Sequence, residues 1–432
     1  MRNKIMFICP FWNQKDHVGT IRAERLVRWM MKLNLEVIIV TAGHKDAIQK
    51  TDFGNLIIIN DPLRIYPDVF GNINSQDTSS SARKPNKFRR WMAYFLLVPD
   101  LHIRWAKAVL KSNQVYEMAK ACNYFMASSP PESSFIAACE LSLRYGGKFI
   151  MDMRDGWLDE PMKPLLKSIW LQRYREKRIE KKLLNKADTI CVTSENWKDL
   201  MINRYPDFKA KIHTIPNCYP EYSGSVQQQS GESVSQKRNC VIQLLHAGRI
   251  TSSRPERNIE YLLERLLQYI GIHNLKINIK FLGALDSSEI EVINTWNKRF
   301  NERDGSLVHV KSVDRFEALK MMEAADGLLM VSNSYASIPA KYYDYSVVGR
   351  PVLNLTINNS ASANVSSKQH HFYNLIESDS SGLVTSDSQI EIIESFINHC
   401  RSNDQNESFL NPDYTENVVF NRFGNLINSL EI

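Results

Sequence analysis

Apolar positions recur along the chain with two different periods, and the switches between them mark out the elements. Lys4 to Cys9, Glu36 to Thr41, Leu56 to Asn60, Tyr124 to Ser128, Lys148 to Asp152 and Asp188 to Thr193 are short apolar runs that read as buried strands. Thr20 to Leu33 carries apolar residues at helical spacing, and helical stretches separate most of the other strands. Continuous apolar strands alternating with helices predict a parallel sheet covered on both faces.

Between Pro216 and Asn239 the periodicity collapses. Gly224 to Ser233 is polar and without period, the mark of a linker or long loop. The rhythm then restarts. Val241 to His246, Lys276 to Leu282, Leu307 to Val310, Gly327 to Val331 and Pro351 to Leu355 read as strands. Ile259 to Ile270, Ser288 to Phe300, Phe316 to Ala325 and Ala340 to Val347 read as the helices between them. The expected organisation is a first domain over 1–215, a linker over 216–239, a second domain over 240–410 and a segment over 411–432 ending in a docked helix. The predicted class is α/β: two Rossmann-like parallel-sheet domains facing each other across a cleft lined by strand C-terminal ends.

A length of 432 residues suits two such domains. With 43% hydrophobic and 23% charged residues, collagen-like, low-complexity and wholly disordered classes are excluded. A net charge of +7 is too mild to name a partner by itself. Seven scattered cysteines without a C-x-x-C pair point to neither a disulfide framework nor a zinc site. Met1 to Pro10 lacks the features of a signal peptide, and no window reaches the ~18 apolar residues of a membrane span. A cytoplasmic location is expected, with room for peripheral contact at the inner face of the membrane.

Three segments carry candidate chemistry. His246-Ala247-Gly248-Arg249-Ile250 ends the first strand of the second domain, with Arg254 and Arg257 following before the helix. Glycine there permits a tight turn and close ligand approach, and arginines near a helix start supply paired donors for phosphate oxygens. A simpler account is a strand-to-helix turn with solvated arginines. Next, Ser332 to Tyr345 ends a strand in small polar residues, places Ser337 and Ile338 before Pro339, and opens a helix carrying Lys341 and Asp344. Lys341 and Asp344 share a helix face, so a surface Lys–Asp pair is the plainer alternative. Third, Asp152-Met153-Arg154-Asp155-Gly156-Trp157 puts charge at a strand end of the first domain, where a structural Arg154–Asp salt bridge competes with a ligand role. The turn after the first strand, with His17, Gly19 and Arg22, faces the same expected cleft; a lone histidine such as His17 is more often structural.

Phosphate-loop, dinucleotide, nucleophile-elbow and zinc-helix signatures are missing, as is an Asp-x-Asp pair, so no dedicated metal or cofactor is expected. Two basic stretches remain. Arg83 to Lys111 and Lys163 to Lys186 mix cations with Trp91, Tyr94, Phe95, Trp105, Trp170 and Leu171. Such faces suit an anionic lipid surface, or else are exposed helices with solvated charge. No nucleic-acid-binding module is present, so nucleic acid is not an expected partner.

At these residues the chain resembles glycosyltransferases of the GT-B fold, specifically the retaining, family 4-like enzymes. Ser128-Ser129-Pro130-Pro131-Glu132-Ser133-Ser134 and Asp152 to Trp157 resemble the family's S-S-P-P-x-S-S and D-x-R-D-P-W segments. Ile215-Pro216-Asn217 is similar to I-P-N-G, His246 to Arg249 to the G-R donor loop, and Ile338 to Pro351 to I-P-x-K-x-x-E-Y…G-x-P. The resemblance implies a nucleotide diphosphate-sugar co-substrate and a glycan or lipid-linked acceptor in surface polysaccharide assembly. It assigns the donor to Gly248, Arg249, Arg254, Arg257, Ser337, Ile338, Lys341 and Asp344, and the acceptor side to His17, Gly19, Arg22 and Asp152. Arg154, Asp155 and Arg249 are the implied catalytic residues, with Arg249 neutralising the leaving diphosphate. The family retains configuration at the sugar, usually assigned to front-face substitution. Four positions depart from the pattern: Ala336 for a glutamate, Asp344 for its partner glutamate, Cys218 for glycine and Gly156 for proline. Ala336 motivates a rival reading, a non-catalytic subunit that binds glycan or a sister enzyme; a nucleotide-sugar epimerase ranks below it.

Overall fold

A computed structural model describes residues 3–12, 14, 18–65, 97–159, 170–221, 241–250, 259–332, 334–376, 386–402 and 410–430. The chain divides into two compact units, Met1–Pro216 with Phe420–Ile432, and Asn217–Val419. Most of the expected linker, and with it any account of residues 222–240, lies outside the described residues.

The first unit is built on β1 (Lys4–Ile8), β2 (Glu36–Gly43), β3 (Ala47–Thr51), β4 (Gly54–Asn60), β5 (Tyr124–Ser129), β6 (Lys148–Met153), β7 (Thr189–Val192) and β8 (Ile212–Thr214). They form one sheet in the order β3-β4-β2-β1-β5-β6-β7-β8. Every pairing is parallel except β3 with β4. The antiparallel edge corrects the expectation of an all-parallel sheet. Ala47–Thr51 is too polar and too exposed to carry a strand signal, and the hairpin turn beside it puts Gly54 at φ 139°. A Cβ at Gly54 would stand 2.2 Å from the Val37 carbonyl oxygen, so the register with β2 requires glycine there.

The second unit contains β9 (Val241–Ala247), β10 (Lys276–Leu282), β11 (Ser306–Val310), β12 (Gly327–Ser332), β13 (Val352–Thr356) and β14 (Phe372–Ile376). Their order is β11-β10-β9-β12-β13-β14, all parallel. The chain builds outward from β9 through β10 to β11, then returns to place β12 on the other side of β9. That reversal creates a switch point at the C-terminal ends of β9 and β12, the place where open α/β sheets take ligands. In the first unit the equivalent point lies between β1 and β5.

The C-terminal helix Glu416–Asn428 follows the second unit in sequence, but from Phe420 onward it belongs to the first. Phe420 and Phe423 pack on Trp29 at ring-centroid distances of 6.3 and 5.8 Å. Trp105, from the first basic-aromatic stretch, is fully buried and donates its indole N–H to the Ile59 carbonyl. It is a core residue rather than a surface anchor, while Arg83 to Leu96 lies outside the described residues. Among the described residues no helix is long and apolar enough to cross a membrane.

Candidate functional site

In the second unit the candidate site is assembled at the switch point from the ends of β9 and β12 and from the helix Ala340–Val348. Gly248 turns the chain off β9 at φ 87°, its N–H bonded to the Leu282 carbonyl. The backbone of Gly283 lies against it: a Cβ on Gly283 would meet the Gly248 Cα at 3.3 Å. Tyr345 is buried; its hydroxyl accepts from the Ala247 N–H at 2.8 Å and donates to the Leu329 carbonyl at 3.3 Å. This fixes the helix to both strands. Lys341, one turn earlier on the same face, is thereby aimed at Gly248, where an added Cβ would lie 3.7 Å from the Lys341 Nζ.

Lys341 does not pair with Asp344. Its Nζ sits 3.2 Å from Nε2 of His246, and Asp344 instead receives the Arg315 guanidinium at 2.5 Å. The Lys–Asp surface pair is thus replaced by two separate contacts. His246 is completely buried on β9. Burial first, and the Lys341 charge second, lower its pKa to about 3, so the ring is neutral and carries one hydrogen. Two carbonyls, which can only accept, face the ring, Leu329 at 2.9 Å from Nδ1 and Arg249 at 3.5 Å from Nε2; the much shorter contact places the hydrogen on Nδ1 and leaves the Nε2 lone pair for Lys341. Desolvation lowers the Lys341 ammonium to about 8, opposed by the charge of Glu289. Part of the Lys341 side chain still meets solvent, which limits that depression.

Arg249 is half exposed, with its guanidinium 3.4 Å from Asp286 and 3.6 Å from Glu289. Glu289 itself is buried and accepts the Ile250 and Asp286 N–H groups at 2.7 and 3.0 Å. Together with Asp286 it forms a capping box that starts the helix Ser287–Asn301. Ser337 donates its N–H to the Ser334 hydroxyl, and Ile338 packs against the apolar cluster under the helix. Ala336 is buried. Arg254 and Arg257 lie outside the described residues. Sequence reasoning quoted His246 within the strand-end segment without giving it a role, and missed Glu289, since neither stands in a catalytic spacing.

In the first unit the landmark segments converge on one guanidinium. Arg22 and Asp152 are both buried, and Arg22 donates to Asp152 from Nε at 3.0 Å and from a terminal nitrogen at 2.6 Å. The same side chain donates to the carbonyls of Ile215 and Pro216 at 2.9 and 3.2 Å. The Ser128 hydroxyl completes the set with a 2.7 Å bond to Asp152. The buried salt bridge therefore exists, but its cation is Arg22, not Arg154. Arg154 donates to the carbonyls of Ser129 and Pro130 at 2.8 and 3.1 Å and lies 4.7 Å over the Phe11 ring. Arg22, Asp152 and Arg154 are held in scaffold contacts, and Gly19 is buried in the first turn of the helix Val18–Lys32. Asp155 is exposed; the surrounding protein still raises its carboxyl pKa by desolvation, opposed by Arg154 and Arg22 and reinforced by Asp152. His17 lies outside the described residues.

The glycine at 156 has a steric cause. A Cβ there would stand 2.2 Å from the ring of buried Trp197, so neither alanine nor the proline of the resembled motif fits without moving that ring. Gly156→Ala is expected to cost about 1–3 kcal/mol through overpacking, read as a lower urea midpoint. An unchanged midpoint would show that Trp197 swings aside freely.

Behind this segment the helix Trp170–Lys186 buries Gln172, Glu176 and Glu180 along one stripe. Glu176 accepts the Trp157 indole N–H at 2.7 Å, and Glu180 accepts the Tyr205 hydroxyl at 2.6 Å. Desolvation raises the Glu180 carboxyl from 4.5 to about 7, against the opposing effects of Tyr205 and Arg204. The folded state then holds a proton that the unfolded chain releases at lower pH. Stability contributed by this group is therefore present below about 4.5 and is lost as pH rises toward about 7. Glu180→Gln is expected to remove a decline of roughly 2–3 kcal/mol across that window, measured as the pH dependence of the urea midpoint. Parallel curves for the two proteins would contradict it.

No protein-family model and no curated protein matches the chain. Solved structures do. The lipopolysaccharide outer core galactosyltransferase WaaB matches with a TM-score of 0.56 at 10% identity, over 99% of each chain. Anabaena HepE, solved with UDP and glucose, matches at 0.57 and 12% identity over 99% of this chain and 100% of its own. A candidate UDP-N-acetylglucosamine 2-epimerase from Listeria monocytogenes matches at 0.55 and 11% identity, over 99% and 96%. At these identities the likeness speaks for architecture alone, and because each match runs over nearly the whole of both chains it shows that this chain has the GT-B fold.

Proposed function

We propose that the chain is a retaining glycosyltransferase that takes a sugar from a nucleotide diphosphate-sugar. The observation that carries this reading is the Lys341 ammonium held against the Gly248 turn at the switch point of the second sheet, with Arg249 beside it. Two cations at a strand-end turn suit a diphosphate whose negative charge grows as the sugar bond breaks, and stabilising that charge lowers the barrier. HepE, of the same fold, was solved with UDP and glucose. On this reading the first unit handles a glycan or lipid-linked acceptor for surface polysaccharide, with exposed Asp155 as its candidate reacting group and Arg154 as support.

The helix Trp170–Lys186 supports peripheral contact with anionic lipid on the cytoplasmic side. Its two acids, Glu176 and Glu180, are buried, while Arg173, Lys177, Arg178, Lys181, Lys182 and Lys186 are exposed. Trp170 is 78% and Tyr174 52% exposed on the same helix. Basic and aromatic groups together fit a headgroup layer. Sedimentation with anionic vesicles, but not with zwitterionic ones, is the expected outcome; recovery in the supernatant with both would remove this part.

The test of the reaction is a panel of nucleotide-sugars incubated with the purified chain, with and without glycan acceptors. Transfer with retained configuration supports the reading. Donor isomerisation without acceptor would establish an epimerase instead, and binding without turnover across the panel would establish the non-catalytic subunit that Ala336 suggests.

A further inference from the structure

We propose that His246 is a positioning residue, whose neutral imidazole fixes the Lys341 ammonium beside Gly248 where an anionic diphosphate is to be received. This deepens the donor-site reading and rests on it. Lysine reaches its target on a flexible four-carbon stem, so an unguided ammonium samples many positions and loses affinity to entropy. His246 removes that freedom: Nδ1 is anchored to the Leu329 carbonyl at 2.9 Å, and Nε2 accepts from Lys341 at 3.2 Å. One ammonium donor is used and two remain for phosphate oxygens.

The neutrality of the acceptor is what matters. A carboxylate at this position would orient the lysine equally well but would cancel the charge that attracts the ligand. A protonated imidazole would repel the Lys341 ammonium and offer it no lone pair. An uncharged lone pair orients the cation and leaves its charge unspent. The other charged groups nearby have further partners, and the charge of Glu289 also favours the Lys341 ammonium from a distance. Glu289, from the helix Ser287–Asn301, caps that helix and meets Arg249 at 3.6 Å; Asp286 meets Arg249 at 3.4 Å. Asp344, on the helix of Lys341, is engaged with Arg315.

The ammonium of Lys341 titrates near 8, so anion affinity is expected to decline as pH rises through that value. Removing the acceptor deprives the charged form of a hydrogen bond, which moves the decline to lower pH and weakens binding near neutrality. Calorimetric titration with UDP from about pH 6.5 to about pH 9.5 reads both effects. His246→Asn keeps a donor for Leu329 but is too short to reach Lys341; His246→Gln restores an acceptor at that reach. His246→Asn is expected to bind about tenfold more weakly near pH 7, with its alkaline decline beginning at least about half a pH unit earlier. His246→Gln is expected to stay within about threefold of the unmodified protein with its profile restored. Thermal midpoints confirm that each variant is folded. A His246→Asn profile identical to that of the parent overturns the proposal, as does equal weakening of both variants without a pH displacement, which would make His246 a core filler. Lys341→Met separates the two levels: if it binds UDP as well as the parent, the donor-site reading itself fails, whatever His246 does.

Discussion

Arg22→Met is expected to destabilise the first unit by about 3–5 kcal/mol, the largest loss from any single change at the candidate sites. The reason is the charge left behind. Asp152 has no solvent exposure, and Arg22 supplies its ionic partner at 2.6 Å while also bonding the carbonyls of Ile215 and Pro216. Methionine fills the stem volume but satisfies none of these acceptors, so the buried carboxylate keeps the Ser128 hydroxyl but loses its ionic partner, and two carbonyls lose a donor with it. Converting the partner as well, in Arg22→Met with Asp152→Asn, removes the uncompensated charge and is expected to recover part of the loss, a non-additivity that marks direct coupling. Seven of the eight tryptophans lie in Met1–Pro216 and only Trp296 in Asn217–Val419, so fluorescence-detected urea unfolding reports chiefly on the unit concerned. A shift below about 1 kcal/mol, or simple additivity of the two substitutions, would show that water reaches Asp152 in the native protein.

The same cluster shows what the sequence could and could not disclose. The strands were legible because buried parallel strands are continuous apolar runs, as in Phe7 to Cys9 or Val37 to Val40. Ala47–Thr51 was not, because an exposed edge strand has no such pattern, and β14 was hidden because Phe372–Ile376 is a short edge strand whose apolar run is broken by Asn374. The landmark segments were visible as letters, but their roles were not. Arg22 and Asp152 are 130 residues apart, and nothing in spacing tells that they bind each other rather than an acceptor. Likewise Lys341 and Asp344 share a helix face, yet each turns to a partner far away in sequence, His246 and Arg315. Local periodicity places a side chain on a face; the partner it meets there depends on sheet order, which a single sequence leaves open. The glycine at 156 is explained only by Trp197, forty-one positions on by count of the chain.

Lys341→Met is expected to weaken UDP binding by about 30- to 100-fold near neutral pH, more than Arg249→Ala, which is expected to cost about 3- to 10-fold. Both residues are cations at the same turn, and what separates them is their surroundings. The Arg249 guanidinium is 50% exposed and shares its charge with Asp286 and Glu289 across 3.4 and 3.6 Å, so water and these carboxylates already screen it. Lys341 is drawn against the buried His246, whose neutral ring takes none of its charge, in surroundings that lower its pKa to about 8. An ammonium that has already lost part of its hydration gains more from phosphate oxygens than one still solvated. The same contrast extends to rate. If charge builds on the diphosphate as the sugar bond breaks, the loss in kcat for Lys341→Met is expected to exceed the loss in binding, because the interaction strengthens on the way to the transition state. Calorimetry with UDP, followed by kcat and KM on whichever donor the panel identifies, measures both. Equal losses for the two variants would mean that neither surrounding governs the anion site, and that the Lys341–His246 contact belongs only to the packing of the helix on its sheet.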